Sequence, residues 1–172
     1  LIGQSDPGGH AIVWDIRLPR ALAAFLVGAA LGLSGAALQG LLRNPLADPG
    51  VLGVSASAAL AATLAISFGL AALHPFAMPM AAAAGALAAT AFLAFAAGVS
   101  QSVVTLILIG AGISSFTGAV MALALNLAPN PFSLSDMVNW MLGTVANRSL
   151  EDIAFAAPFL ALGAGILWAV RR

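Results

Sequence analysis

Of 172 residues, 62% are hydrophobic and only 7% charged, where a soluble domain carries roughly a quarter charged. The mean hydropathy of +1.06 and the net charge of zero exclude a water-solvated surface and a basic face for nucleic acid. The absence of cysteine excludes disulfides, zinc–thiolate sites and cysteine catalysis.

The chain opens on a polar, glycine-rich leader from Leu1 to His10, without a starting methionine or the basic-then-apolar layout of a signal peptide. It is expected to be a piece of a longer protein. Crossing the hydrocarbon core takes about 20 apolar residues as a helix, and five stretches qualify: residues 21–42, 51–73, 76–99, 103–128 and 153–170. In the first, small residues recur at Ala24, Gly28, Gly32, Ala36 and Gly40, a stripe against which another helix backbone can pack closely. The segment Asn44-Pro45-Leu46-Ala47-Asp48-Pro49-Gly50 then ends that helix. Asp48 is suited to cap the next helix and Pro49 to occupy its first turn.

The fourth stretch repeats the small-residue spacing at Gly110, Ser114, Gly118 and Ala122. Residues 132–143 are too short and too polar to span, and Trp140 suits a membrane interface. They predict a short surface helix. Ser149-Leu150-Glu151-Asp152 reads as a capping box that opens the last span. The expected fold is all-α: a polytopic transmembrane helix bundle with about five spanning helices and one short surface helix, in a single membrane domain over 1–172. Five crossings place the two ends on opposite sides. Arg43, Arg171 and Arg172 then face one side and Arg17, Arg20 and Arg148 the other, so the positive-inside rule leaves orientation open.

Enzymatic chemistry finds little support. Gly32-Leu33-Ser34-Gly35 matches the short pattern of intramembrane serine hydrolases, but such a serine needs a histidine base within reach. His10 lies in the leader and His74 in a turn beside Pro75. Two separated histidines without cysteine make a poor metal site. No lysine is present, so no phosphate-binding loop exists and this chain is not expected to hydrolyse ATP itself. Ion-coupled carriers place acids inside helices or break a helix mid-membrane. Here the acids are expected in connections or at helix ends, and no broken helix is expected. The embedded polar residues, among them Ser34, Gln39, Thr90 and Asn126, are read mainly as helix–helix hydrogen bonds worth about 1 kcal/mol or less each.

Three stretches carry a family resemblance. Arg17-Leu18-Pro19-Arg20, the run from Gly28 to Gly40, and the run from Asn44 through Gly53-Val54-Ser55 closely resemble the permeases of iron-siderophore, haem and cobalamin ABC importers, the FecCD/BtuC type. Weaker similarity continues through 106–114 and 139–144. The resemblance implies helices two to six of a roughly ten-helix fold in the bacterial inner membrane, with the short surface helix periplasmic. The first helix, the cytoplasmic coupling helix and the last four helices would be absent, so this stretch alone would neither bind the ATPase normally nor transport.

Its implied partners are a second permease subunit in a homodimer, cytoplasmic ATPase subunits, a periplasmic substrate-binding protein and lipid. No cofactor is implied. The implied cargo is a ferric siderophore, haem or cobalamin. A secondary transporter is the alternative, and an intramembrane serine hydrolase a more distant one. Arg17 and Arg20 match positions that dock acidic residues of the binding protein; the alternative is anchoring at lipid headgroups. Asn44 and Leu46 match a cytoplasmic gate, against the alternative of an ordinary helix–helix turn, and Ser100, Gln101 and Ser102 align loosely with a second gate. Ser114 and Ser115 match the wall of the translocation pathway.

Overall fold

Alanine, leucine and glycine runs with few β-branched residues favour helix throughout, and helix is what forms. The computed structural model describes residues 7–45, 47–100 and 102–170, with the side chains of residues 7, 8 and 100 left out. Among the described residues there is no strand. Helix α1 (Pro7–Ala11) passes through a π-helical stretch (Ile12–Arg17) into α2 (Leu18–Leu42). After a 3₁₀ turn (Pro49–Leu52) come α3 (Val54–Ser67), a second 3₁₀ turn (Leu70–Ala72), α4 (Ala77–Ser100), α5 (Val103–Asn126), α6 (Pro131–Leu142) and α7 (Leu150–Val170). The chain forms two compact units, one of residues 1–40 with 145–172 and one of residues 41–144.

The first unit departs from expectation at its start. The predicted leader is helical from Pro7, and the continuous apolar helix Gly9–Leu42 has 34 residues, about 51 Å of rise. Pro19 is accommodated by a change of register: the Leu18 N–H donates to the Val13 carbonyl, five residues back. Proline lacks an N–H and crowds the carbonyl four residues before it, and a π-bulge just upstream relieves that conflict. Helix α7 starts where the capping box places it. The Asp152 N–H donates to Ser149 Oγ at 3.2 Å, and the Ser149 N–H donates to Asp152 Oδ2 at 2.9 Å. No residue of α7 is buried, and Phe159, Leu162 and Trp168 stand exposed. That all-round apolar surface is at home in acyl chains rather than in water.

In the second unit α3 is the hub, packed by α4, α5 and α6. Ala62 and Thr63 are fully buried, with Ala65 and Ile66 close behind. Gly85 of α4 permits the tightest crossing: a Cβ there would stand 2.5 Å from the Ser57 carbonyl oxygen and 2.7 Å from Ala61 Cβ. Small residues on both helices thus let the backbones meet, as the alanine–glycine composition predicts. Helix α6 starts at Pro131 under an Asn130 cap, whose Oδ1 accepts from the Ser133 N–H at 2.8 Å. It buries Met137 completely, leaves Trp140 half-buried and exposes most of its other residues.

The second predicted span is helical over a shorter stretch than its apolar run suggests. Among the described residues four helices are long and apolar enough to cross a membrane, and Val54–Ser67 is a shorter apolar helix of 14 residues, about 21 Å against a hydrocarbon core of about 30 Å. Gly53 and Gly69, at φ +76° and +70°, cut the apolar run at both ends. Both angles lie where side chains other than glycine are strained. At Gly53 packing adds a second reason, because a Cβ would lie 2.7 Å from Ile113 Cγ2. The remaining length is made up by 3₁₀ turns. Irregular backbone of this kind is tolerated at membrane depth where protein covers it or water reaches it.

Candidate functional site

Three places carry residues singled out by the sequence. The first is the start of α2. Arg17 ends the π-helical stretch and Arg20 follows Pro19; both arginines are exposed, whereas Pro19 is buried. Arg20 and Gly40 lie on one helix about 30 Å apart, close to the full hydrocarbon thickness. If the Gly40 end sits at one boundary, the two guanidiniums reach the other, where their charge is hydrated and free to meet an acidic partner.

The second place is the turn after α2. Arg43 adopts φ +49° in the position beyond the helix end that glycine usually fills. Asn44 is exposed, and its carbonyl accepts from the Ala47 N–H at 3.1 Å. Leu46 lies outside the described residues. Asp48 caps the 3₁₀ turn as predicted, its Oδ1 accepting from the Gly50 N–H at 2.7 Å, with Pro49 in the first turn.

The third place is where that turn comes to rest. A Cβ on Gly110 would stand 2.8 Å from the Leu52 Cα, and Ser114 Oγ lies 3.3 Å from the carbonyl oxygens of both Gly50 and Val51. Helix α5 has 24 residues and a rise of about 36 Å, little more than the membrane core. Gly110 and Ser114 fall about 10 and 16 Å along it. The Asp48–Gly53 segment therefore docks on the first half of α5 and not at its end. Asp48 lies in a connection, as expected, and that connection runs alongside a spanning helix.

Asp48 and Val51 remain exposed. A carboxylate on a turn packed along a spanning helix requires water or protein around it, not lipid. Ser114, expected in a pathway wall, thus has its hydroxyl engaged with the turn, while Ser115 next to it is exposed. Of the loosely aligned second gate, Ser102 caps α5 by accepting from the Thr105 N–H at 3.4 Å. Gln101 lies outside the described residues.

The turn, Gly110 and Ser114 form one site, and sequence reasoning missed that union. Its signals were present: Gly53 inside an apolar run, and Gly110 and Ser114 in one small-residue stripe. Elsewhere the geometry bears on the hydrolase motif. Ser34 Oγ donates to the Leu31 carbonyl at 3.0 Å, and His10 stands about 36 Å away along the same helix. His10 is therefore not placed as a base for Ser34. His74 Nδ1 accepts from the Phe76 N–H at 3.2 Å. Among the described residues no three His, Asp or Glu side chains gather where they could hold a metal ion. An open apolar groove of about 290 Å³ lies between α3, α4 and α5, walled by Leu60, Leu64, Phe92 and Ile113.

Comparison with known proteins places this geometry in context. The FecCD transport family matches over residues 1–172. The chain is 42% identical over 171 residues to the ABC transporter permease protein YvrB of Bacillus subtilis, itself uncharacterized, covering 96% of this chain and 48% of that protein. It is 35% identical to the molybdate import system permease protein MolB of Haemophilus influenzae, over 91% of this chain and 47% of that one. It is 42% identical over 135 residues to the vitamin B12 import system permease protein BtuC of Salmonella newport, over 78% of this chain and 41% of that one. The chain thus spans about half the length of the curated relatives it matches. A solved structure described as an inward-facing conformation of a metal-chelate type ABC transporter superposes with a TM-score of 0.88 at 31% identity, covering 98% of this chain and 53% of the other.

Proposed function

The chain belongs to the FecCD transport family, and from that premise we propose that it forms part of the membrane pathway of an ATP-driven importer for a bulky metal chelate. The observation that carries the reading is the whole-chain likeness to a metal-chelate type transporter at 31% identity. A ferric siderophore is the proposed cargo class. Relatives named for vitamin B12 and molybdate add cobalamin and a metal oxyanion to haem as the cargoes to be tested against it. The chain has no phosphate-binding loop, so ATP hydrolysis falls to a cytoplasmic ATPase subunit. Delivery falls to a periplasmic binding protein, and the permease works as a homodimer in the bacterial inner membrane.

Within that reading Arg17 and Arg20 dock the binding protein, since exposed guanidiniums engage carboxylates bidentately. Asn44 and Leu46, which precede the docked turn in sequence, close the cytoplasmic side of the pathway, and Ser115 contributes to its wall. A pathway lined by small neutral residues passes cargo without holding it, leaving affinity to the binding protein. The test is charge reversal in the full-length permease: Arg17→Glu with Arg20→Glu abolishes capture of the loaded binding protein by the permease–ATPase complex. Unchanged capture would leave the two arginines as headgroup anchors.

The broken second span favours one other reading, an ion-coupled carrier, because such carriers bind ions at interrupted helices. Energy source separates the two.

A further inference from the structure

Arg17, Arg20 and Arg43 are exposed, whereas Arg148, alone among the described arginines, is half-buried. Its Nε is covered from solvent and has no hydrogen-bond partner among the described residues. An unpaired donor costs more on a cation than on a neutral group, so the burial needs an anion at the free edge of the guanidinium. The adjoining helix does not provide one. Arg148 immediately precedes Ser149, the cap of α7, and the start of a helix carries partial positive charge that disfavours a cation. Asp152 is committed to Ser149 through the reciprocal cap, and Glu151 is exposed.

Depth decides which anion fits. Helix α7 has 21 residues, a rise of about 32 Å against a hydrocarbon core of about 30 Å. With α7 across the membrane, Arg148 stands at the boundary, where lipid phosphates lie. Below it no residue of α7 is buried. Phe155, Phe159, Leu162 and Ile166 follow one another down one face at helical spacing. The last three are exposed, and the rings of Phe155 and Phe159 are 5.6 Å apart. A cation at headgroup level above an apolar helix face is complementary to both ends of an anionic lipid. A carboxylate on a soluble partner matches only the cation, and the exposed Arg17 and Arg20 reach it more freely. We propose that Arg148 binds the phosphate of an anionic phospholipid whose acyl chains lie along Phe159, Leu162 and Ile166. With Nε covered, the Nη edge is left to engage two phosphate oxygens, a match for the planar fork that an ammonium cannot make. The site holds the permease to its membrane whatever the cargo.

The test follows the melting temperature of the full-length permease in detergent as dioctanoyl phosphatidylglycerol is titrated in. Dioctanoylglycerol supplies the chains alone and inorganic phosphate the anion alone. The phospholipid is expected to raise the melting temperature saturably, and neither half should do so. Arg148→Gln should raise the half-saturating concentration about ten-fold, the factor set by one charge-assisted hydrogen bond. Arg148→Lys, which keeps the charge and loses the fork, should fall between the two. Arg43→Gln, which removes an exposed charge just beyond α2, should leave the midpoint unchanged. An unchanged midpoint in Arg148→Gln, or an equal rise in Arg43→Gln, overturns the site. Protection by inorganic phosphate that Arg148→Gln abolishes overturns the lipid in favour of a free anion. If Arg148→Gln weakens capture of the loaded binding protein and leaves the lipid midpoint unchanged, the residue belongs to docking and the lipid site is overturned.

Discussion

The crossing of α3 and α4 at Gly85 offers the sharpest test of the packing. A methyl group there would sit 2.5 Å from the Ser57 carbonyl oxygen and 2.7 Å from Ala61 Cβ, where ordinary contact begins at 3.4 Å. In Gly85→Ala the two helices must separate by about 1 Å, and a gap of that size forfeits about a quarter to a half of the dispersion attraction along the seam. Overpacking of this kind costs about 1–3 kcal/mol. Replacing a mid-helix glycine returns about 0.5–1 kcal/mol of backbone entropy. The net expectation is a destabilisation of about 1–2 kcal/mol for alanine and more for valine, because α3 also packs against α5 and α6. Thermal unfolding of the full-length protein in detergent, followed by tryptophan fluorescence, reads the effect. A Gly85→Ala variant that melts at or above wild type would refute the close crossing.

Two further outcomes follow from single side chains. Thr63 is fully buried and its Oγ1 has no hydrogen-bond partner among the described residues. Thr63→Val keeps the shape and removes an unpaired hydroxyl, so it should raise the melting temperature, by an amount reflecting about 1 kcal/mol; a fall would show that the hydroxyl is bonded in the assembled protein. At the start of α7, Ser149→Ala removes one half of the reciprocal cap with Asp152 and should cost about 1 kcal/mol. Faster amide hydrogen exchange in the first turn of α7 would register it, and unchanged exchange would discount the cap.

The helix ends were legible where a polar side chain caps them, since the chemistry is local: Asp48 before Pro49, and Ser149 with Asp152, sit where their spacing predicts. The spanning character of α2, α4, α5 and α7 was legible because length and hydropathy are sums over the sequence. Two features escaped for physical reasons. The leader reads as polar and glycine-rich, but a one-residue change of hydrogen-bond register upstream of Pro19 lets the helix run through it. Gly53 and Gly69 look like filler in an alanine-rich apolar run, and only the sign of φ shows that they end it. The union of Asp48–Gly53 with Gly110 and Ser114 joins positions more than 50 residues apart in sequence, and no local pattern encodes such a pairing. The resemblance marked both segments and left their contact unstated.

Transport by the reconstituted system bears most directly on the central claim. The full-length permease, its ATPase and its binding protein in proteoliposomes should take up one of the labelled chelates, a ferric siderophore before haem, cobalamin or molybdate. Uptake should require both ATP and the binding protein and should be indifferent to ionophores. Uptake that persists without ATP and collapses when ion gradients are dissipated would contradict the account and favour the ion-coupled carrier.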